Sequence, residues 1–305
     1  MTLIRMLAAT LAFSIPALPA YAGNITHELG TTKVPDSPQR IVVLEFSFID
    51  ALASVGVAPV GVADDNKRDR VIPAYTDKIG NDWVSVGTRK APSLELIASL
   101  APDLIIADKK RHAAAFDQLS EIAPTIVLDS LAGDYHASVE QMAIIGDAIG
   151  KSDEMNARVE AHKKTMAVYS AQITPLTKGV SAQFGVTNAK GLWLHAPVSY
   201  NGSLLEMFGF DSNMMPKDGG VYEKIYVPTT LEQLSEVNPD ILIFGAYTDP
   251  SFVDGLAEDS LFKNLTAVQS GRVFNVTAHN WSRLRGMLAA ELTAKDILDI
   301  MGQSE

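Results

Sequence analysis

Short apolar runs alternate with amphipathic stretches along most of the chain. Apolar runs of a few residues are typical of buried strands, whereas apolar positions three and four residues apart are typical of helices. Their alternation predicts an α/β fold with mainly parallel sheets. The predicted strands are Ile41–Leu44, Pro59–Val62, Leu104–Ala107, Thr125–Leu128, Val180–Val186, Gly191–Leu194, Ile241–Phe244 and Arg272–Val276. The predicted helices are Ile49–Val55, Ala113–Ile122, Val139–Ile149, Ser203–Phe208, Leu231–Val237, Leu261–Gln269 and Leu288–Met301.

Two segments of the chain repeat one pattern. Ser93–Ile106 and Thr230–Ile243 each begin with a hydroxyl residue and Leu-Glu, continue with apolar positions at helical spacing, and end in Pro-Asp followed by an apolar run. The hydroxyl residue is a suitable N-cap, and Glu95 or Glu232 lies in the first helical turn, where negative charge is favourable. The pattern predicts a short helix followed by a buried strand in each half. It favours two related lobes over a chance likeness between two such units.

A polar stretch between these halves is predicted to connect the lobes. It opens with a serine and two acids and has no Gly or Pro, so it would form a helix of about 33 Å at 1.5 Å per residue. An ordinary surface helix would show the same composition, but the position of this stretch between the two repeated segments favours a connecting helix. A ligand is then expected in the cleft between the lobes. The predicted division is a signal peptide at 1–22, an N-terminal lobe at 23–151, the connecting helix at 152–173 and a C-terminal lobe at 174–305.

The N-terminus has the features of a cleaved secretory signal. Arg5 precedes an apolar stretch, and Ala20-Tyr21-Ala22 forms a small-residue cleavage site. The apolar stretch is shorter than the roughly 20 residues that span a bilayer. The chain has no cysteine, so neither disulfides nor a lipidated cysteine are available. We therefore predict a soluble protein of the periplasm.

Composition and motifs argue against several function classes. Lys and Arg number 25 against 36 Asp and Glu, a formal net charge of −11, which disfavours nucleic acid and anionic membranes as partners. Nucleophile, zincin and dinucleotide motifs are absent, and the six histidines are scattered. We therefore expect a protein that is not an enzyme, with no cofactor and no metal ligands of its own.

Cationic and aromatic residues follow several of the predicted strands. In open α/β sheets ligands bind outside the carboxyl ends of strands, and the planar guanidinium of arginine matches a carboxylate. Although any single residue of this kind can be a solvated loop charge, their recurrence in both halves predicts a pocket for an anionic, polycarboxylate-like ligand. The candidate residues are Arg89, Arg111, His112, His195, Trp281, Arg283 and Arg285.

Several of these segments, taken together, resemble the periplasmic iron-chelate-binding family that supplies ABC importers. The likeness extends over essentially the whole mature chain and departs most clearly in Lys190–Tyr200 and Met214–Tyr226. The resembling segments are Arg40–Glu45, Ala63–Asn66, Ser85–Arg89 with Ser93–Glu95, Ala107–Asp108 with Arg111–His112, and Trp281–Gly286.

The resemblance implies a fold, a cargo and a partner. The fold would be two Rossmann-like lobes joined by one long α-helix. The cargo would be an iron(III) chelate, with ferric dicitrate as the first candidate, bound through the candidate residues above except His195, which lies in a segment that departs from the family. We expect the protein to be a monomer. Glu95 and Glu232 would dock on arginines of the two permease subunits.

Other interpretations of the sequence remain open. The same scaffold could carry another ferric siderophore or haem, and His195 or Tyr200 would then be an axial ligand. A direct zinc or manganese binder and a secreted hydrolase are the alternatives from other classes.

Overall fold

The computed structural model describes residues 21–214 and 219–302, so the predicted signal peptide lies outside the described residues up to position 20. The fold is α/β and has two lobes, as predicted. The strands are β1 (Tyr21–His27), β2 (Gly30–Pro35), β3 (Ile41–Val43), β4 (Gly61–Val62), β5 (Val84–Ser85), β6 (Gly87–Thr88), β7 (Ala91–Pro92), β8 (Leu104–Asp108), β9 (Thr125–Leu128), β10 (Ala182–Asn188), β11 (Gly191–His195), β12 (Tyr226–Thr229), β13 (Ile241–Ala246) and β14 (Val273–Val276). The helices are α1 (Phe46–Ser54), α2 (Pro73–Ile79), α3 (Leu94–Ser99), α4 (Lys109–His112), α5 (Phe116–Ile122), α6 (Tyr135–Ala148), α7 (Ser152–Thr177), α8 (Tyr200–Met207), α9 (Val221–Ile225), α10 (Leu231–Val237), α11 (Ser260–Lys263), α12 (Thr266–Gln269), α13 (Ala278–Arg283) and α14 (Met287–Gly302).

The first lobe is built on a parallel sheet of order β5-β4-β3-β8-β9. Every residue of β3, β8 and β9 is buried, which explains why these strands read as continuous apolar runs. Because all five strands run the same way, their carboxyl ends meet at one edge of the sheet. The loops that leave this edge carry the chemistry of the first lobe.

The second lobe has a mixed sheet of order β12-β11-β10-β13-β14. Strands β10, β13 and β14 are parallel, but β11 is antiparallel to both of its neighbours. Only two residues separate Asn188 from Gly191, and strands joined by so short a turn must be antiparallel. The prediction of mainly parallel sheets therefore holds for the first lobe and fails at β11.

The repeated pattern forms corresponding helices in the two lobes. The Ser93 hydroxyl accepts a hydrogen bond from the Leu96 amide at the start of α3, at 3.2 Å. At the start of α10 the Thr230 hydroxyl accepts from the Gln233 amide, and the Gln233 side chain accepts in return from the Thr230 amide. Both predicted N-caps are confirmed. Each helix begins at the carboxyl edge of its sheet, because β5 and β12 both lead toward that edge.

Helix α7 is longer than the predicted connecting helix. It continues past residue 173 to Thr177 and includes Pro175 in its last turn. A proline lacks the N–H that would bond to the carbonyl four residues earlier, so Pro175 removes one hydrogen bond from the last turn of the helix. The Thr177 hydroxyl donates to the Phe208 carbonyl at 2.6 Å, which fastens the helix end to the second lobe.

Helix α14 contributes to both hydrophobic cores. Its first residues, Met287, Leu288 and Ala289, pack in the core of the first lobe with α1. Further along, Ala294 and Ile297 pack in the core of the second lobe. The lobes are therefore linked by α14 as well as by α7.

Candidate ligand-binding cleft

A cleft of about 420 Å³ lies between the two lobes at the carboxyl edges of both sheets. Four arginines and three large aromatic side chains contribute to its surface, so it combines positive charge with apolar walls. The lining residues are Arg89, Arg111, Leu131, Val186, Asn188, Trp193, His195, Tyr226, Tyr247, Ser282, Arg283 and Arg285. Five of the seven predicted ligand residues therefore meet in one place.

Arg89 lies in the turn between β6 and β7, where two carboxylates and a ring hold it. Its guanidinium contacts Asp65 at 3.0 Å and Glu45 at 3.1 Å, and it stacks over Phe46 at 4.5 Å from the ring centre. Burial opposes ionisation of Asp65, but Arg89, with a further contribution from Arg70, lowers its pKa to about 2. Arg89 is therefore oriented before any ligand arrives.

Glu45 follows β3 directly and is almost completely buried. It pairs with Arg89 and with Arg111, which α4 presents from the next strand of the sheet. Burial would raise the pKa of Glu45, but Arg89, Arg111 and Arg285 overcome it and hold the pKa below its ordinary value. The ionised carboxylate fixes both arginines at the floor of the cleft.

His112 lies behind the cleft. Its Nδ1 accepts from the Asp108 amide at 2.9 Å, so Nε2 carries the proton and donates to the Arg89 carbonyl at 2.8 Å. Burial lowers the pKa of His112, which keeps the ring in this neutral form. The residue thus positions the Arg89 backbone and is absent from the cleft lining.

Arg285 is 3% exposed and connects α13 to α14. Its guanidinium donates to the Tyr226 hydroxyl at 2.5 Å, and that hydroxyl donates to the Leu131 carbonyl of the first lobe at 3.2 Å. Within residues 21–214 and 219–302, no carboxylate lies within 4 Å of this guanidinium. Arg285 therefore brings a buried positive charge to the cleft that the described residues leave without a paired carboxylate.

The wall of the cleft in the second lobe is aromatic. Its wall residues are Trp193 and His195 from β11, Tyr226 from β12, and Tyr247, which follows β13. The guanidinium of Arg283 stacks on the Tyr247 ring, 4.2 Å from the ring centre. Burial, with the charge of Arg285 adding to it, lowers the pKa of His195 to about 3. This imidazole is neutral at physiological pH and contributes no positive charge.

Trp281 and Tyr200 lie away from the cleft. Trp281 is 1% exposed, packs on Phe184, and donates through its indole N–H to Asp296 at 2.8 Å. The Tyr200 hydroxyl donates to the Gly286 carbonyl at 2.7 Å. Both side chains are part of the second-lobe core.

Four residues in or beside the cleft have functional contacts that the sequence pattern did not predict, namely Glu45, Asp65, Tyr226 and Tyr247. For Glu45 and Asp65 a signal was present, because each comes shortly after a predicted strand of the first lobe. Tyr226 falls in a segment where the resemblance is weak, so its position in the cleft depended on the fold.

Glu95 and Glu232 are both exposed and lie in the first turns of α3 and α10. Since both helices begin at the carboxyl edges of their sheets, the two acids lie on the side of the molecule where the cleft opens. Neither acid lines the cleft.

The described part of the chain shows neither a metal-binding cluster nor a membrane-spanning helix. No group of three or more His, Asp or Glu side chains there is arranged to hold a metal ion. Across the same residues, none of the helices combines the length and hydrophobicity needed to cross a bilayer.

Comparison with known proteins places the chain in a family. Residues 41–279 match the family described as periplasmic binding protein. The chain belongs to the periplasmic binding protein family. The Fe(3+) dicitrate-binding periplasmic protein FecB of Escherichia coli is 41% identical over 287 residues, covering 92% of this chain and 91% of that protein. The Fe(3+)-citrate-binding protein YfmC of Bacillus subtilis is 40% identical over 274 residues, which cover 90% of this chain and 84% of that protein.

A solved structure supports the fold of this periplasmic binding protein. Staphylococcus aureus SirA complexed with staphyloferrin B superposes with a TM-score of 0.76 at 22% identity, covering 92% of this chain and 98% of SirA. The family and these relatives are named as binding proteins, which confirms the prediction of a binding protein rather than an enzyme.

Proposed function

We propose that this periplasmic binding protein captures iron(III) already chelated by citrate and delivers it to an ABC importer of the inner membrane. The iron is cargo that arrives inside its chelate, so the protein needs to recognise only the outer carboxylates and oxygens. The likeness to two citrate-named relatives at about 40% identity over most of the chain supports this choice of ligand.

The observation that carries the proposal is the state of the four cleft arginines. Glu45 and Asp65 engage Arg89 and Arg111, whereas neither Arg283 nor Arg285 has a carboxylate within 4 Å among the described residues. Burial disfavours both charges, and for Arg285 this cost is offset by the Tyr226 hydroxyl in direct contact and by Glu45 and Asp108 at longer range. An anionic chelate would relieve that cost, because charge-assisted hydrogen bonds from arginine to carboxylate are strong.

Delivery is proposed to use Glu95 and Glu232 as the contacts with the permease. One exposed acid on the corresponding helix of each lobe suits a transporter whose two subunits are related by a two-fold axis. The helix-start interpretation explains the same acids without a partner, so transport must be measured separately from binding.

We also propose export to the periplasm through a cleaved signal peptide at 1–22, as a free monomer. The small-residue site Ala20-Tyr21-Ala22 and the absence of cysteine from the sequence support this proposal.

The test is a titration of the mature, ligand-free protein with ferric citrate while tryptophan fluorescence is recorded. Trp193 lines the cleft, whereas Trp83 and Trp281 are buried. We expect saturable quenching in wild type that is largely lost in Trp193→Phe and retained in Trp83→Phe. Iron-free citrate, a ferric hydroxamate and haem are titrated in parallel, with correction for inner-filter absorption. If one of these three probes saturates the protein and ferric citrate does not, that probe takes the place of ferric citrate as the proposed ligand. If none of the probes changes the fluorescence, the proposal is refuted.

A further inference from the structure

Asp50, in α1 of the first lobe, is fully buried and lies against the first turn of α14. Its carboxylate accepts hydrogen bonds from the amides of Leu288, at 3.2 Å, and Ala289, at 2.8 Å. It also accepts from the Tyr75 hydroxyl at 3.1 Å. The side chain of Asp50, from one lobe, therefore satisfies backbone amides at the start of the last helix that have no acceptor within the helix.

The approach of Asp50 to the chain before α14 requires glycine at position 286. Gly286 has φ +119°, and a Cβ there would lie 2.4 Å from the Asp50 carboxyl carbon. From the other side, the Tyr200 hydroxyl donates to the Gly286 carbonyl at 2.7 Å. The backbone at residue 286 is consequently held between the lobes, by Asp50 on one side and Tyr200 on the other.

Arg285 immediately precedes this fixed glycine. Its side chain reaches the cleft and donates to the Tyr226 hydroxyl. Asp50 itself does not line the cleft, so any effect of Asp50 on the ligand must pass through the chain that it holds.

We propose that Asp50 is a positioning residue for ligand binding, which holds the Arg285 backbone in register with the cleft by anchoring the start of α14 to the first lobe. The inference rests on the proposed function in one respect, namely that Arg285 binds the anionic chelate. If Asp50 positions Arg285, ligand affinity should depend on Asp50 even though Asp50 does not line the cleft.

The experiment is a double-mutant cycle on ferric citrate affinity with Asp50→Asn and Arg285→Ala. Asn keeps the size of the side chain but loses the charge and one acceptor. We expect Asp50→Asn alone to weaken binding by about tenfold, the equivalent of one hydrogen bond to a charged group. In the Arg285→Ala background the same change should cost less than about twofold, because the residue it positions is gone.

Glu291→Gln is the matched control. Glu291 is on the same helix, just over one turn beyond residue 286, and its side chain pairs with Arg158 at 2.8 Å and His162 at 2.7 Å rather than with Asp50. This variant should lower stability and leave affinity unchanged, which separates positioning from general loosening of α14. Wild-type affinity in Asp50→Asn, or a loss that adds fully to that of Arg285→Ala, would overturn the inference.

Tyr75→Phe and amide hydrogen exchange test the role of Asp50 where the double-mutant cycle cannot be completed. If Asp50→Asn does not fold, Tyr75→Phe removes one hydrogen bond to Asp50, and the same non-additivity with Arg285→Ala is expected at about threefold. If wild type does not bind ferric citrate, the proposed function fails by itself. Amide hydrogen exchange in ligand-free protein then decides the role of Asp50: faster exchange at residues 285–289 in Asp50→Asn supports it, and unchanged exchange refutes it.

Discussion

The Glu45 carboxylate contacts the Arg89 guanidinium at 3.1 Å, and both side chains are at least nine-tenths buried. The pair lies at the floor of the cleft, where Glu45 also meets Arg111. A buried ion pair adds little net stability compared with apolar packing, but removal of one partner leaves the other charge uncompensated. Its main effect is to hold two arginines in fixed directions toward the ligand.

Glu45→Gln should destabilise the ligand-free protein by about 3–5 kcal/mol, because Arg89 and Arg111 then lose the buried carboxylate between them. The free energy of unfolding is measured by urea denaturation. Glu28→Gln is the control, since its pair with Lys109 is exposed and should contribute less than about 1 kcal/mol. Equal losses in the two variants would contradict the role of Glu45.

Arg285→Ala should weaken ferric citrate binding by about 2–5 kcal/mol, because a buried ligand carboxylate would lose its partner. The dissociation constant is measured by fluorescence or calorimetry. Arg89→Ala should lower affinity and stability together, since Arg89 also pairs with Glu45 and Asp65. Arg158→Ala, outside the cleft, serves as control, and an unchanged affinity in Arg285→Ala would remove Arg285 from the site.

Glu95→Ala combined with Glu232→Ala should abolish ATP-driven uptake of ferric citrate by the reconstituted permease while ligand affinity stays at the wild-type value. Both acids are exposed and outside the cleft, so their loss should affect only the partner. Glu236→Ala, in the last turn of α10, is the matched control and should transport normally. Normal uptake by the double variant would leave these acids with a helix-start role alone.

His195 should make the protein less stable as the pH falls below about 6.5. Burial lowers the pKa of the folded-state imidazole to about 3, so between these values the unfolded chain binds a proton that the folded protein does not. The stabilising contribution of this residue is lost at up to about 1.4 kcal/mol per pH unit. In His195→Gln, unfolding free energies from pH 7 to pH 4 should fall less steeply, and parallel curves would contradict the assignment.

Asp50 should make the protein more stable as the pH falls below about 7, which is opposite to the effect of His195. Burial raises the pKa of Asp50 to about 7, although amides of α14 and the Tyr75 hydroxyl oppose the shift. A carboxyl with a raised folded-state pKa takes up a proton on folding, so its contribution to stability increases as the pH falls from about 7 toward 3.8. Asp50→Asn should remove this increase, which the difference between wild-type and variant unfolding curves will show.

Local sequence patterns were enough to predict many of the helices and strands and five residues of the cleft. Strand β9 and helix α10 have the bounds that their apolar pattern predicts, because periodicity and capping act over a few residues. Arg89 and Arg111 were found because carboxyl ends of parallel strands collect at one edge of a sheet. The family resemblance, carried by short segments, indicated the two lobes and the class of function.

Which of the candidate side chains face the cleft depends on how the two lobes pack, and no local pattern predicts it. His112 and Trp281 have the same chemistry as cleft residues, but their hydrogen bonds to Arg89 and Asp296 turn them elsewhere. The hydrogen bond between the Asp50 side chain and the Ala289 amide illustrates the reason, because it joins residues 239 positions apart in the sequence. No local pattern encodes such a contact, because it exists only once both lobes have packed around one helix.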